Sequence, residues 1–355
     1  MRTLASIQTI NAIEPIAGAD AIERARVLGW WVVVKRGEHH PGDKVVYCEI
    51  DSLLPERPEF EFLRKGSFRS AITTSSGQVL LPAGFRIKTV KLRGQVSQGI
   101  CFPLSILGAN PATADGTDVT AQLGIVKFDP PLPASMSGRV KGAFPGFVPK
   151  TDETRVQILE ALIARQRGKT FYVTEKLDGT SFTAFLSDGE FGVCSRNQWL
   201  DEGDLGNALC RVARDLDLAG KLAQSRARLG FDLAIQGEII GPGVQGNKYA
   251  RKQVELHLFN IVNLDAFRLV DHADMLSEAA AMGLTVVPQL ASIVLDHSVD
   301  ALVELSVGMS ALAEGVHREG VVLRPLKDEN DPELGPHPPY PASETVMLSA
   351  PTVVA

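Results

Sequence analysis

The sequence predicts an N-terminal β-barrel followed by a larger α+β domain. Short segments rich in β-branched and aromatic residues, separated by turn residues, occupy residues 30–104. Strand-like and helix-like segments alternate from about residue 151 to residue 325. Between them, residues 110–148 are rich in Pro, Gly and Ala, as is typical of loops and linkers. A length of 355 residues also favours two domains over one.

The barrel prediction depends on two pairs of segments. Residues 30–35 and 44–50 flank the turn Pro41-Gly42-Asp43, and this arrangement predicts a hairpin. Residues 86–93 and 98–104 are also strand-like, and Gly94 between them favours a chain reversal. A small barrel fits these segments better than a helical domain does.

The second domain begins with a predicted helix. Residues 151–154 form a plausible helix start, and apolar residues recur after them at Val156, Leu159, Leu162 and Ile163. The predicted organisation is a barrel at 1–130, a linker at 131–150, the α+β domain at 151–327 and an atypical, disordered tail at 328–355.

Composition excludes several classes of protein. Hydrophobic residues make up 45% and charged residues 22%, which are ordinary proportions for a packed domain. We find no uninterrupted apolar segment long enough to span a membrane and no secretory leader. The four cysteines are widely spaced, which favours reduced thiols and a cytoplasmic location.

Basic residues are concentrated in the N-terminal part. The formal net charge is -6, yet residues 1–150 hold 18 Lys and Arg against 13 Asp and Glu, while the remainder holds 18 against 29. In residues 86–93, apolar residues alternate with basic ones, as on a strand with one buried face. That face can follow the phosphates of a nucleic acid or be a solvated surface, and the pattern favours neither. The basic residues are Arg86, Lys88, Lys91 and Arg93.

One segment carries the chemistry. Residues 171–177 are a strand candidate, and Asp178-Gly179 predicts a tight turn before a second strand at 181–186. Lys176 therefore lies at a strand end beside a loop, where its neutral amine could attack a phosphorus atom. By itself the Lys-x-Asp-Gly pattern is weak, because a plain hairpin turn with an exposed lysine has the same residues.

Further segments follow in a fixed order, and together they carry a family resemblance. They are Lys176-Leu177-Asp178-Gly179, Ser195-Arg196-Asn197, Gln236-Gly237-Glu238, Leu258-Phe259-Asn260 and Glu319-Gly320-Val321. The order resembles motifs I, Ia, III, IIIa and IV of the covalent nucleotidyltransferases, which include DNA ligases, RNA ligases and capping enzymes. The basic N-terminal barrel and residues 150–153 and 241–249 are similar to the RNA ligase branch with an N-terminal OB domain, known as RNA ligase family five.

The resemblance implies a role for each matched residue. Lys176 is the residue that becomes adenylated, and Glu175, Asp178 and Gly179 beside it contact the nucleotide. Arg196 supports the nucleotide or the incoming strand, and Phe259 stacks on adenine. Glu238 holds ribose or metal, and Glu319 assists metal binding and adenylation. Taken singly, Glu238 and Glu319 could be ordinary surface carboxylates and Phe259 a core residue. Likewise, Gly241 to Gly246 can approach phosphate or be a simple turn.

The implied function is an ATP-dependent RNA ligase that joins 3′-OH and 5′-phosphate ends through a lysyl-AMP intermediate. Its fold would be an OB-like β-barrel with a ligase-type nucleotidyltransferase domain. ATP and Mg²⁺ or Mn²⁺ are the implied cofactors, and RNA or an RNA-containing nicked duplex is the implied partner. No obligate protein partner is implied.

The C-terminal tail departs from the family pattern. Family members carry a motif V strand with lysines that contact the α-phosphate, whereas this chain has no Lys or Arg after Lys327. Loss of one such electrostatic contact costs about 10²–10³ in rate. We therefore predict slow or absent self-adenylation, and the alternative function is an inactive, nucleic-acid-binding pseudo-ligase.

Overall fold

A computed structural model describes residues 3–73, 77–109, 113–129, 138–151 and 153–327, together with the backbone of the strand Val346–Ser349. The chain forms two compact units that divide near residue 131. In the described residues, no helix is both long enough and apolar enough to span a membrane.

The first unit is built from short strands. These are β1 (Ala5–Pro15), β2 (Ile22–Val27), β3 (Trp30–Lys35), β4 (Lys44–Cys48), β5 (Ser52–Leu54), β6 (Phe68–Arg69), β7 (Ile72–Thr73), β8 (Val79–Leu81), β9 (Gly84–Arg86), β10 (Val90–Leu92), β11 (Gln95–Ser97), β12 (Ile100–Pro103) and β13 (Val126–Lys127). One helical turn, α1 (Arg64–Ser67), and two 3-10 helices, Pro58–Leu63 and Leu104–Leu107, connect them.

Two sheets form most of this unit. One has the strand order β12-β4-β1-β2-β3 and the other β13-β5-β9-β6. The unit has two apolar cores, one containing Trp30 and Tyr47 and the other Phe60 and Phe85, and all four of these side chains are buried. The prediction of a β-rich N-terminal part is confirmed.

The predicted hairpin of residues 30–35 with 44–50 is wrong. The strand β3 pairs with β2, whereas β4 pairs with β1 and β12. The cause is the length of β1, whose first half pairs with β4 and whose second half pairs with β2. The two segments are adjacent in sequence, but β1 and β2 separate them in the sheet.

The predicted strand at 86–93 is interrupted, although the reversal at Gly94 is confirmed. Ile87 exchanges backbone hydrogen bonds with Asp51 and Ser52, and the chain leaves the sheet after it. A separate hairpin of β10 and β11 follows, joined by Arg93 and Gly94. Both turn residues have positive φ, 50° and 84°, as two-residue hairpin turns require.

The second unit contains strands and helices in alternation. Its strands are β14 (Val140–Ala143), β15 (Thr154–Arg155), β16 (Thr170–Lys176), β17 (Thr180–Ser187), β18 (Glu190–Cys194), β19 (Gln198–Leu200), β20 (Leu233–Ile240), β21 (Glu255–Asn263), β22 (Arg268–Leu269), β23 (Thr285–Val286), β24 (Gln289–Val294), β25 (Gly320–Pro325) and β26 (Val346–Ser349). Its helices are α2 (Glu160–Arg165), α3 (Ala208–Asp215), α4 (Leu218–Leu229), α5 (His272–Ala281), α6 (Val299–Ser306) and the 3-10 helices Val156–Ile158 and Gln245–Asn247.

Two sheets again carry this unit. The larger has the order β14-β19-β18-β17-β20-β21-β22, with β23 added alongside β21, and the smaller has the order β15-β26-β25-β16-β24. Apolar side chains of α3, α4 and α5 pack on the larger sheet, and those of α2 and α6 pack on the smaller. The predicted strand that ends at Lys176, β16, and the following strand, β17, are therefore members of different sheets. Residues 177–179, called here the Lys176 turn, join them.

Two boundary predictions need correction. The predicted linker contains β14, which pairs with β19, and Val148, which is fully buried. The helix predicted from residue 151 begins only at Glu160, because Thr154–Arg155 is taken up as a strand beside β26. Pairing with a strand distant in sequence overrides the local helical pattern here.

Part of the tail, which the sequence predicts to be disordered, forms a strand. Residues Val346–Ser349 form β26, antiparallel to β25 and parallel to β15. Residues 328–345 and 350–355 lie outside the described residues, so the prediction for them stays a prediction. The strand forms because two neighbouring strands satisfy its backbone, a stabilisation that the local sequence does not reveal.

Candidate active site

Lys176 ends β16 beside the start of β25. It pairs in register with Gly320, and Glu319 immediately precedes that residue. The Lys176 Nζ forms an ion pair with the Glu319 Oε1. Six residues of β16 pair with β25, and this pairing brings Lys176 and Glu319 together although they are 143 residues apart in the sequence.

Gly179 brings the Lys176 turn against β20. Ser181 pairs with Glu238 across β17 and β20, and the Gly179 N–H donates to the Glu238 carboxylate. A Cβ on Gly179 would lie only 2.2 Å from the Ile239 carbonyl oxygen, so no larger residue fits without a shift. The glycine is required by this close approach, since its φ is not positive.

The carboxylates around Lys176 repel one another. Burial raises the pKa of Glu238 to about 8, the Lys176 charge opposes that rise, and the charges of Glu319 and Asp178 add to it. Such a set of carboxylates suits a hard cation with oxygen ligands. The described residues contain no cluster of three or more protein ligands that could hold a metal. Phosphate or water oxygens would therefore have to complete the coordination of any cation held by Glu238 and Glu319.

Two residues of the loop between β20 and β21 contact the Lys176 turn. The Asp178 N–H donates to the Tyr249 hydroxyl at 2.7 Å, and the Lys248 Nζ lies 3.3 Å from the Asp178 carboxylate. Burial raises the pKa of the Tyr249 phenol far above its usual value, so the hydroxyl stays neutral. The sequence pointed to this loop as a segment, but it did not single out Lys248 or Tyr249 as site residues.

Glu175 is buried beside the site. Its side chain is 1% exposed, and its Oε2 accepts a hydrogen bond from the Ala311 N–H at 2.7 Å. Within the described residues its other oxygen has no hydrogen-bond partner, so Glu175 retains an acceptor for a donor not present here. The carboxylate therefore fixes the loop at Ala311 and keeps one acceptor free.

Phe259 lies on β21 next to the apolar side of the Lys176 turn. It packs against a buried cluster of Leu177, Ile240, Tyr249 and Val287. The Arg324 guanidinium lies 5.6 Å from the centre of its ring and is also bonded to Glu153 at 3.1 Å. Both the core role and the base-stacking role weighed from the sequence are compatible with this position, since the ring is only partly buried.

Arg196 occupies an exposed turn between β18 and β19. Ser195 and Gln198 close this turn through a backbone hydrogen bond of 2.9 Å. Because Cys194 pairs with Thr183, the turn lies at the end of the sheet where β17 begins, which is also the end that carries Gly179. Arg196 therefore lies at the same end of the sheet as the Lys176 turn.

The four basic residues of the first unit fall into two groups. Arg86 pairs with Asp51 at 3.3 Å and lies over the Phe128 ring at 4.3 Å, so it has a packing role. Lys91 and Arg93 are exposed on the hairpin of β10 and β11, and Lys88 is half-buried before it. The structure does not place all four on one strand face, because the chain leaves the sheet at Ile87.

Comparisons with known proteins agree with this architecture. An OB-fold domain profile matches residues 4–104, and an RNA ligase profile matches residues 169–336. The solved structure of an apo mutant of Naegleria gruberi RNA ligase is 34% identical, with a TM-score of 0.84, covering 99% of this chain and 96% of that one. This chain belongs to the RNA ligase family.

Ligand-bound relatives match this RNA ligase as well. One mutant of the Naegleria gruberi enzyme was solved with ATP and Mn and another with AMP and Mn. Each is 34% identical with a TM-score of 0.82, covering 98% of this chain and 97% of the other. No curated protein sequence matches. The predicted fold, an N-terminal OB-like barrel with a ligase-type nucleotidyltransferase domain, is confirmed.

Proposed function

We propose that this ATP-dependent RNA ligase carries AMP covalently on Lys176. The observation that supports this most strongly is the contact between the Lys176 Nζ and Glu319 at the joined ends of β16 and β25. Glu238 and Asp178 lie close enough to couple electrostatically with that pair. A lysine that contacts one carboxylate and has two more nearby suits nucleophilic attack on a phosphate held by a cation.

In the first step the Lys176 Nζ attacks the α-phosphorus of ATP. A phosphorus–nitrogen bond forms, the phosphorus–oxygen bond to pyrophosphate breaks, and pyrophosphate leaves. The amine must lose a proton to act as a nucleophile, and the Glu319 carboxylate in contact with it can accept that proton. Glu319 therefore positions the amine and takes its proton.

Glu238 and Glu319 are the residues that would hold Mg²⁺ or Mn²⁺. Bound there, the ion would supply charge neutralisation at the phosphates. The fit rests on the carboxylate cluster itself, in which burial and mutual repulsion raise the pKa of Glu238. Relatives from Naegleria gruberi were solved with Mn, which supports a divalent cation as the cofactor.

The remaining site residues bind the nucleotide and the strand. Phe259 stacks on the adenine, the unpaired oxygen of Glu175 accepts from the nucleotide, and Arg196 supports the incoming end. Asp178 and Gly179 shape the backbone around the bound group. The positions of Phe259, Glu175 and Gly179 around the Lys176 turn support these roles.

Sealing then proceeds in two further transfers. AMP passes from Lys176 to the 5′-phosphate of an RNA end, and a 3′-hydroxyl attacks that phosphate and displaces AMP. We propose an RNA-containing nicked duplex as the substrate, with Lys91 and Arg93 of the first unit contacting phosphates. The proposed location is the cytoplasm, and the reaction as written needs no protein partner.

A labelling experiment tests the nucleophile. The protein is incubated with ATP labelled at the α-phosphate and with Mg²⁺ or Mn²⁺, and the covalent protein–AMP adduct is measured. We expect a slowly formed adduct in the unmodified chain, because the C-terminal lysines are missing. We expect none in Lys176→Ala and an undiminished one in Lys221→Ala, a lysine of α4 outside the site.

Each other outcome has a definite meaning. An adduct that survives Lys176→Ala overturns the assignment of the nucleophile. Salt-sensitive RNA binding without any adduct would indicate the pseudo-ligase instead. Sealing of a nicked RNA-containing duplex would exclude that alternative.

A further inference from the structure

The loop between β20 and β21 places a lysine beside the Lys176 turn. The Lys248 Nζ lies 3.3 Å from the Asp178 carboxylate, and its side chain is one-quarter exposed. The adjacent Tyr249 is buried and accepts a hydrogen bond from the Asp178 N–H. Two consecutive loop residues thus contact Asp178: Tyr249 binds its backbone N–H, and Lys248 pairs with its carboxylate.

This loop holds an unusual backbone conformation. Gln245, Asn247 and Ala250 have φ values of 42°, 51° and 50°, in the left-handed region that is unfavourable for a non-glycine residue. The Asn247 side chain offsets part of this cost by donating to the Arg251 carbonyl and accepting from the Arg251 N–H, both at 2.9 Å. The position of Lys248 is therefore maintained by the surrounding contacts.

Two arginines near the site, Arg251 and Arg324, are already paired with carboxylates. Arg251 forms two bonds to Glu255, at 2.9 and 3.0 Å, and Arg324 is bonded to Glu153. Lys176 must be neutral when it attacks, so it cannot also neutralise the phosphates. Lys248 has the longer and more exposed contact, with an Asp178 side chain that is 38% exposed.

The C-terminal strand brings no positive charge to this sheet. Its sequence is Val346-Met347-Leu348-Ser349, and no Lys or Arg follows Lys327 anywhere in the chain. The triphosphate of ATP nevertheless enters a site that already contains Asp178, Glu238 and Glu319. Besides a divalent ion, a cationic side chain from elsewhere in the chain can stabilise this charge.

We infer that Lys248 is the residue that binds the polyphosphate of ATP in this ligase. Its ammonium leaves Asp178 when ATP binds and donates to a phosphate oxygen, a movement that the flexible four-carbon stem of lysine permits. This inference rests on the proposed function, because it assigns a further residue to the same site.

The test compares ATP with adenosine, which lacks the phosphates. Binding of each is measured with Mg²⁺ present in a Lys176→Ala background, where no adduct forms. Because a hydrogen bond to a charged group contributes about 1.5–3 kcal/mol, we expect Lys248→Met to weaken ATP binding by about tenfold or more. Adenosine binding should stay within a factor of two. Lys248→Arg should retain most of the ATP affinity, and Lys252→Met, at an exposed lysine of the same loop, should change neither.

The outcomes separate this role from a structural one. Equal loss of ATP and adenosine binding would mean that Lys248 only supports the Asp178 turn, and unchanged ATP binding would mean that the phosphates are bound elsewhere. Either result overturns the inference. If the unmodified chain binds ATP through Lys248 but forms no adduct, the proposed adenylation fails while the inference stands.

Discussion

At the scale of single residues, the site depends on how closely the Lys176 turn approaches β20. Gly179 is the point of closest approach, and its N–H donates to Glu238. A side chain there would have to displace either the turn or the Ile239 carbonyl. The alignment of Lys176 with Glu319 and Glu238 is therefore sensitive to a single methyl group.

We predict that Gly179→Ala slows adduct formation severely. The added methyl group would lie 2.2 Å from the Ile239 oxygen, so the turn must move and the bond to Glu238 must lengthen. A misplacement on the order of 1 Å can cost about 10²-fold in rate. Single-turnover labelling with ATP measures this rate. Gly142→Ala is the matched control, because a Cβ at that glycine meets open space. An unchanged rate in Gly179→Ala would contradict the close-approach argument.

At the scale of secondary-structure elements, β26 is the least expected part of the fold. Its position 349 pairs with Gly320, and Gly320 pairs with Lys176. The three positions therefore form one row across neighbouring strands, which are spaced about 4.8 Å apart. The strand β26 pairs with β25, but its sequence contains no Lys or Arg.

We predict that Ser349→Lys accelerates self-adenylation. A cation in the row of Lys176 would add electrostatic stabilisation to the phosphate in the transition state, for which one contact contributes about 10²–10³ in rate. The measurement is the rate of adduct formation. The control is Leu348→Lys, which places the same charge one position away from the row of Lys176. Equal effects of both substitutions would show that only the net charge matters.

At the scale of the whole molecule, the charge is divided between the two parts of the sequence. Residues 1–150 are net basic and the remainder is acidic, and the acidic part contains the proposed adenylation site. Lys91 and Arg93 are exposed on a hairpin of the basic unit. This distribution favours RNA binding by the first unit and chemistry by the second.

We predict that Lys91→Ala with Arg93→Ala weakens RNA binding and makes it less sensitive to salt. Each phosphate contact on a single strand contributes about 0.7 to the slope of log K against log salt, so losing two lowers the slope by about 1.4. Titrations of RNA at several salt concentrations give the slope. The control is Lys35→Ala with Lys65→Ala, two exposed lysines of the same unit. Equal slopes in both double variants would mean that the hairpin does not contact RNA.

The order of the chemical residues could be predicted from the sequence. Lys176, Glu238, Phe259 and Glu319 lie on or beside strands, and the structure brings Lys176 together with both glutamates. Singly these residues could be ordinary surface or core residues, and their ordered resemblance to the covalent nucleotidyltransferase motifs is what identified them. The strand that ends at Lys176 and the turn at Asp178-Gly179 were predicted from local strand and turn patterns.

The sequence by itself determined the fold class, the family and the candidate nucleophile, because local patterns and motif order carry that information. The tertiary structure alone decided which strands pair, that Val346–Ser349 joins the sheet, and that Lys248 and Tyr249 meet Asp178. The contacts of Lys248 and Tyr249 with Asp178 join residues 70 and 71 positions apart. They and the strand pairings depend on tertiary packing that no local pattern encodes.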